Sequence, residues 1–139
     1  MRGFLAILAG DRRGTSLIEF AILLPVFTCL LFGVMGYGQY FLLAHSVQEL
    51  ANDAARATVA GMSADERRTL ATGTVSAELQ SLNELNPAKL STSVSETSDL
   101  VTVHVTYDAS ATPIFRNTLA PMPDPVIVRS AVVRPGGIS

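Results

Sequence analysis

The sequence predicts an α+β protein: a long N-terminal transmembrane helix continuing into a small extracytoplasmic domain, with a second helix and an antiparallel sheet of about three strands. Three patterns carry that expectation. Residues 17–44 form an apolar run in which only Glu19 and Gln39 are strongly polar. Directly after it, Val47, Leu50, Ala51, Ala54 and Thr58 recur at the spacing of one helical face,. Far downstream, Val101, Val103, Val105 and Tyr107 alternate with Thr102, His104 and Thr106, the period of a half-buried strand,.

The apolar run exceeds the roughly 20 residues needed to cross a hydrocarbon core. Its apolar side chains go all the way round the helix, whereas a core helix of a soluble domain is shorter and keeps a polar face. Arg2, Arg12 and Arg13 precede the run, and no Lys or Arg follows until Arg56. That asymmetry places the N-terminus in the cytoplasm and the remainder outside. Tyr37, Tyr40 and Phe41 sit where an outer aromatic belt belongs,. A conventional secretory signal fits less well. The run Phe4 to Ala9 is short for its apolar region, and Asp11, Arg12 and Arg13 follow it in place of small residues,.

Beyond the membrane the same helix continues through an alanine-rich stretch, Ala51 to Ala60, with Gly61 as its C-cap,. Ser63 and Glu66 form a capping-box pattern that opens a second helix reaching about Leu82, with Leu70, Val75, Leu79 and Leu82 as its buried edge,. Asn86-Pro87 ends the helical part. A polar edge strand from Leu90, a turn over Glu96 to Asp99, and the clear strand Leu100 to Tyr107 follow. Pro113 to Met122 reads as a loop or short helical turn. Pro121, Pro123 and Pro125 then force an extended approach to a last strand, Val126 to Arg134, and Pro135-Gly136-Gly137 is a loose tail,.

Composition excludes several functions. At 139 residues there is room for one ordinary domain, and part of the chain is spent on the membrane,. The net charge of −2 gives no basic footprint for nucleic acid,. One cysteine, Cys29, lies within the apolar run, so neither an intrachain disulfide nor a thiolate metal site is expected,. The two histidines, His45 and His104, fall on separate elements without ligand-spaced partners. No phosphate loop, nucleotide fingerprint or zinc spacing occurs. The expectation is a protein without cofactor, metal or catalytic residues, and not an enzyme.

The most specific signal is Arg12-Arg13-Gly14-Thr15-Ser16-Leu17-Ile18-Glu19-Phe20. A carboxylate near the end of a membrane helix is disfavoured unless it snorkels, pairs or has a function. At the cytoplasmic edge Glu19 could rest among headgroups at little cost. In its setting, however, the segment resembles the prepilin-peptidase site of type IV pilin-like proteins, where cleavage follows a glycine and a glutamate stands fifth in the mature chain. The resemblance implies a cut between Gly14 and Thr15. The new α-amine of Thr15, on this chain or a neighbour, would then pair with Glu19 in a poorly screened region and set the register of packed helices.

The longer stretch, Arg12-Arg13-Gly14 through Glu19-Phe20-Ala21 to Pro25, is similar to the TadE-like family of the tight-adherence (Flp-type) pilus system. The alanine- and arginine-containing helix around Leu50 to Ala57 and the valine-alternating strand ending in Tyr107 are also similar. Membership would imply a pseudopilin or minor pilin with a cytoplasmic leader at 1–14, a transmembrane helix at 15–44 and an extracytoplasmic pilin-like domain at 45–139. It would also imply a prepilin peptidase, other pilin-like subunits, Tad inner-membrane assembly proteins and membrane lipid as partners. Its location would be the bacterial inner membrane, and possible entry into the pilus follows from the same likeness. Glu19 and Phe20 would serve assembly and register.

Pro25 removes one backbone hydrogen bond inside the span, so a kink or local unwinding is expected. It reads equally as a flexible point for leaving the bilayer or as an ordinary membrane-helix proline. Gly33, Gly36 and Gly38 permit close approach without forming a GxxxG,. The alternative reading is an uncleaved single-pass protein whose outer domain is a binding module and whose function tolerates substitution of Glu19.

Overall fold

The computed structural model describes residues 12–135, with backbone alone at 12–14. Expectations for residues 1–11, including most of the leader, and for the Gly136-Gly137 tail lie outside the described residues.

Helix α1 (Arg12–Thr58) is 47 residues long, about 70 Å at 1.5 Å per residue. The helix continues through Pro25. One turn on, the Thr28 hydroxyl donates to the Leu24 carbonyl at 2.8 Å. The helix has two halves of opposite environment. From Thr15 to Met35 no residue is buried; from Leu43 to Thr58 one face is sealed. The five positions expected to face the domain, Val47, Leu50, Ala51, Ala54 and Thr58, are all at 0% exposure. Thr58 tolerates this because its hydroxyl donates to the Ala55 carbonyl at 2.6 Å,.

Helix α2 (Ala64–Glu78) follows a short turn. The Glu66 amide donates to Ser63 Oγ, as the capping box requires, but the Glu66 carboxylate accepts from the Met62 amide, one residue before the cap. The helix ends four residues before Leu82. Amides of Gln80, Ser81 and Leu82 bond back three residues, tightening the chain into successive turns,. Its buried edge also differs in detail. Ala71 and Val75 are buried, Leu79 and Leu82 pack partly against the core, and Leu70 is only half-buried.

After a 3₁₀ turn at Pro87–Lys89, the strands β1 (Leu90–Glu96), β2 (Val101–Asp108) and β3 (Val126–Val133) form an antiparallel sheet in the order β1-β2-β3. The β1–β2 turn begins at Thr97, whose amide donates to the Leu100 carbonyl, while Glu96 stays in the strand opposite Val101. Val101, Val103, Val105 and Tyr107 face α1 and are buried. Register places Ile127, Arg129, Ala131 and Val133 beside them on the inner face. Val126, Val128 and Val132 therefore point outward and are exposed.

The domain has two distinct ends. Near the C-terminus of α1, Arg67 joins the α1–α2 connection to the sheet, donating to the Gly61 carbonyl and to both oxygens of Glu96 at 2.9 and 3.0 Å. Toward the bare half of α1 lie the α2–β1 connection and the long β2–β3 connection. Ser46 Oγ donates to Glu84 in the first. The second contains the 3₁₀ turn Pro113–Arg116 and packs against α1.

Candidate functional site

The chemistry-bearing residues anticipated in the sequence all fall on the bare half of α1. Gly14 and Thr15 lie in its first turn, and Thr15, Glu19 and Phe20 are exposed. Thr15 and Glu19 are four apart, hence neighbours on one face in successive turns. Pro25 stands two turns further on, within the uninterrupted helix.

Leu17, Ile18, Phe20, Ile22, Val26, Leu30 and Val34 are all more than 60% exposed and point to every side of the helix. Each such side chain forgoes about 1.5–3 kcal/mol of burial while it faces water. A continuous stretch of them demands lipid or other apolar helices. Thr15 to Met35 inclusive is 21 residues, about 32 Å of helix, which matches a hydrocarbon core of about 30 Å. The helix is thus long and apolar enough to cross a membrane. The apolar groove between Phe20, Leu23, Leu24, Phe27 and Leu30 is the natural relief of this unpartnered surface.

At the junction with the domain, Gly36 is buried under the β2–β3 connection. A Cβ at position 36 would overlap Met122 Sδ and stand 3.7 Å from Ile114 Cγ1. Glycine here serves contact within the chain, a role different from the helix–helix approach expected of it. The only trace of this in the sequence is the coincidence of a helical glycine with a proline-rich apolar segment far downstream. Tyr40, one turn on, packs partly into the core and meets Phe41 edge-on with ring centroids 5.8 Å apart.

Above the junction the exposed face of α1 turns polar, with His45, Gln48, Glu49, Asn52, Asp53 and Arg56 lining a shallow groove. Burial, and then the charges of Asp53 and Glu49, push the Glu78 carboxyl above the usual carboxylate range. Among the described residues, no group of three or more His, Cys, Asp or Glu side chains is placed to hold a metal ion. His104 lies on the outer sheet face, opposite Ser93 and Ser130 and away from His45 on α1. What the structure does assemble is a bare apolar rod ending in a packed collar.

Residues 14–56 match the family model described as TadE-like protein. The match begins at the glycine of the suspected cleavage site and ends two residues before α1 does. No curated protein and no solved structure matches the chain.

Proposed function

We propose that this protein is a membrane-anchored pseudopilin or minor pilin that takes part in assembling a Tad (Flp-type) adhesive pilus and does no catalysis. The observation that carries the reading is the bare half of α1. It lies within the segment matched by the TadE-like family, is apolar on every side, and carries one carboxylate, Glu19, close to its start. In the bilayer this surface is satisfied by acyl chains; in an assembly it is satisfied by the same surface of neighbouring subunits.

Maturation by a prepilin peptidase between Gly14 and Thr15 would leave an α-amine one helical turn from Glu19 on the same face. Paired within the chain, amine and carboxylate would neutralise two charges that lipid disfavours; paired with a neighbouring subunit's, they would fix the height of one helix against the next. Other pilin-like subunits and the Tad inner-membrane assembly proteins are the partners this implies. The charge asymmetry between Arg12-Arg13 and the cation-free stretch up to Arg56 supports insertion in the inner membrane with the domain outside,.

Intact mass and N-terminal sequencing of membrane-extracted protein, with and without the host's prepilin peptidase, test the reading. A chain beginning at Thr15 only when the peptidase is present is the expected result. A chain that keeps residues 1–14 in both strains would instead point to an uncleaved anchor bearing a binding module. Glu19→Ala is expected to insert normally and to lose pilus assembly. Full piliation by that variant would remove the register role.

A further inference from the structure

The β2–β3 connection reaches further along α1 than its neighbour at the same end of the domain. Met122 and Ile114 lie against Gly36, whereas Glu84 meets Ser46, ten positions and about 15 Å further up the helix. The remaining exposed surface of α1 changes character between these levels. Tyr37, Phe41 and Leu42 are exposed and apolar, while His45, Glu49 and Arg56 begin the polar face. An anchored helix keeps exposed apolar residues up to the depth that lipid covers, so water begins between Leu42 and His45. With Thr15 at the inner edge of the hydrocarbon core, Gly36 to Leu42 adds seven residues, about 10 Å, comparable with the single headgroup layer of about 5–7 Å between that core and water. The part up to Met35 matches the hydrocarbon core alone. Gly36 to Leu42 therefore occupies the outer headgroup layer, and the connection packed on Gly36 shares its depth.

The composition of that connection suits this depth. Leu119 is 58% exposed, and four of the protein's seven prolines, at 113, 121, 123 and 125, lie here. Proline has no N–H, so four donors that would otherwise lose water are absent. Several remaining amides are paired internally: Phe115 donates to the Thr112 carbonyl, Asn117 to the Ile114 carbonyl, and Leu119 to Asn117 Oδ1. Arg116 is exposed, with a side chain long enough to reach phosphate,.

We infer that residues 113–122 form an interfacial wedge seated in the outer-leaflet headgroup layer, with Leu119 at the acyl boundary and Arg116 among the lipid phosphates. The wedge rests on the membrane-anchored reading above. It would hold the domain at a defined height and tilt over the bilayer.

The chain has no tryptophan, so a single substitution supplies a sole tryptophan, excited apart from the tyrosines. Leu119→Trp is compared with Phe27→Trp in the bare helix and Val132→Trp on the outer sheet face. Each full-length chain is reconstituted in phosphatidylethanolamine–phosphatidylglycerol vesicles with bromines placed shallow or deep on the acyl chains. Leu119→Trp is expected to emit at shorter wavelength than Val132→Trp, to lose most of its emission to shallow bromines and to resist aqueous acrylamide. Quenching by acrylamide to the same extent as Val132→Trp would overturn the wedge. So would shielding from both quenchers, which would mean that another protein surface covers the loop. Phe27→Trp separates the two readings. If deep bromines quench it while Leu119→Trp behaves as water-exposed, the anchor stands without the wedge; if they do not, both fall.

Discussion

Gly61 follows α1 where a helix-ending glycine is expected, yet no glycine among the described residues has positive φ. Its role is space: a Cβ there would come within 2.9 Å of the Arg67 amide nitrogen and 3.1 Å of its Cα. That approach lets Arg67 reach Glu96 across 29 residues of chain. The hydrogen bond from Arg67, and then its charge, hold the Glu96 carboxyl below its ordinary value of 4.5. The folded state therefore binds that proton less tightly than the unfolded chain. The pairing stabilises fully above the ordinary value and is lost as pH falls through the folded one. The melting temperature is expected to drop on acidification below about pH 4.5, and Glu96→Gln to flatten that drop. Glu78 acts in the opposite sense. Its raised pKa means that ionisation opposes folding, so Glu78→Gln should raise the melting temperature at neutral pH.

At the scale of elements, α1 is one helix with two environments. Its upper half contributes Leu43, Val47 and Leu50 to the core against β2 and β3, and its lower half contributes nothing to that core. Leu50→Ala is expected to destabilise the folded domain by about 2–5 kcal/mol, measured by urea unfolding in detergent. Leu30→Ala should leave the same transition unchanged, because Leu30 is 61% exposed and touches no part of the domain core. A shift of equal size in both variants would show that the two halves unfold as one unit.

For the whole molecule, orientation is the property on which every functional reading depends. Arg12 and Arg13 stand at the start of the span, and no cation follows until Arg56. Replacing both by Glu should weaken N-in insertion. A C-terminal alkaline phosphatase fusion, active only outside the cytoplasm, would report this as lost activity at unchanged expression. Retained activity would mean that Arg12 and Arg13 do not set the orientation.

The sequence by itself determined the membrane-length helix, its continuation into the domain, the second helix, the strand Val101 to Tyr107 and the glycine–glutamate spacing. Each of these is written in local periodicity, length or charge, and local patterns survive in a one-dimensional reading. Only the tertiary structure decided which face of β3 is buried. Ile127, Arg129, Ala131 and Val133 turn inward, leaving three valines outside, because register with β2 outweighs the greater hydrophobicity of the other face. Tertiary packing also shifted the buried edge of α2 to Ala71 and brought Met122 onto Gly36. Both contacts join residues distant in the chain, and no spacing rule connects them. The candidate site on the bare half of α1 was thus legible from residues 12–25, whereas the collar above it depends on a non-local contact that only folding creates.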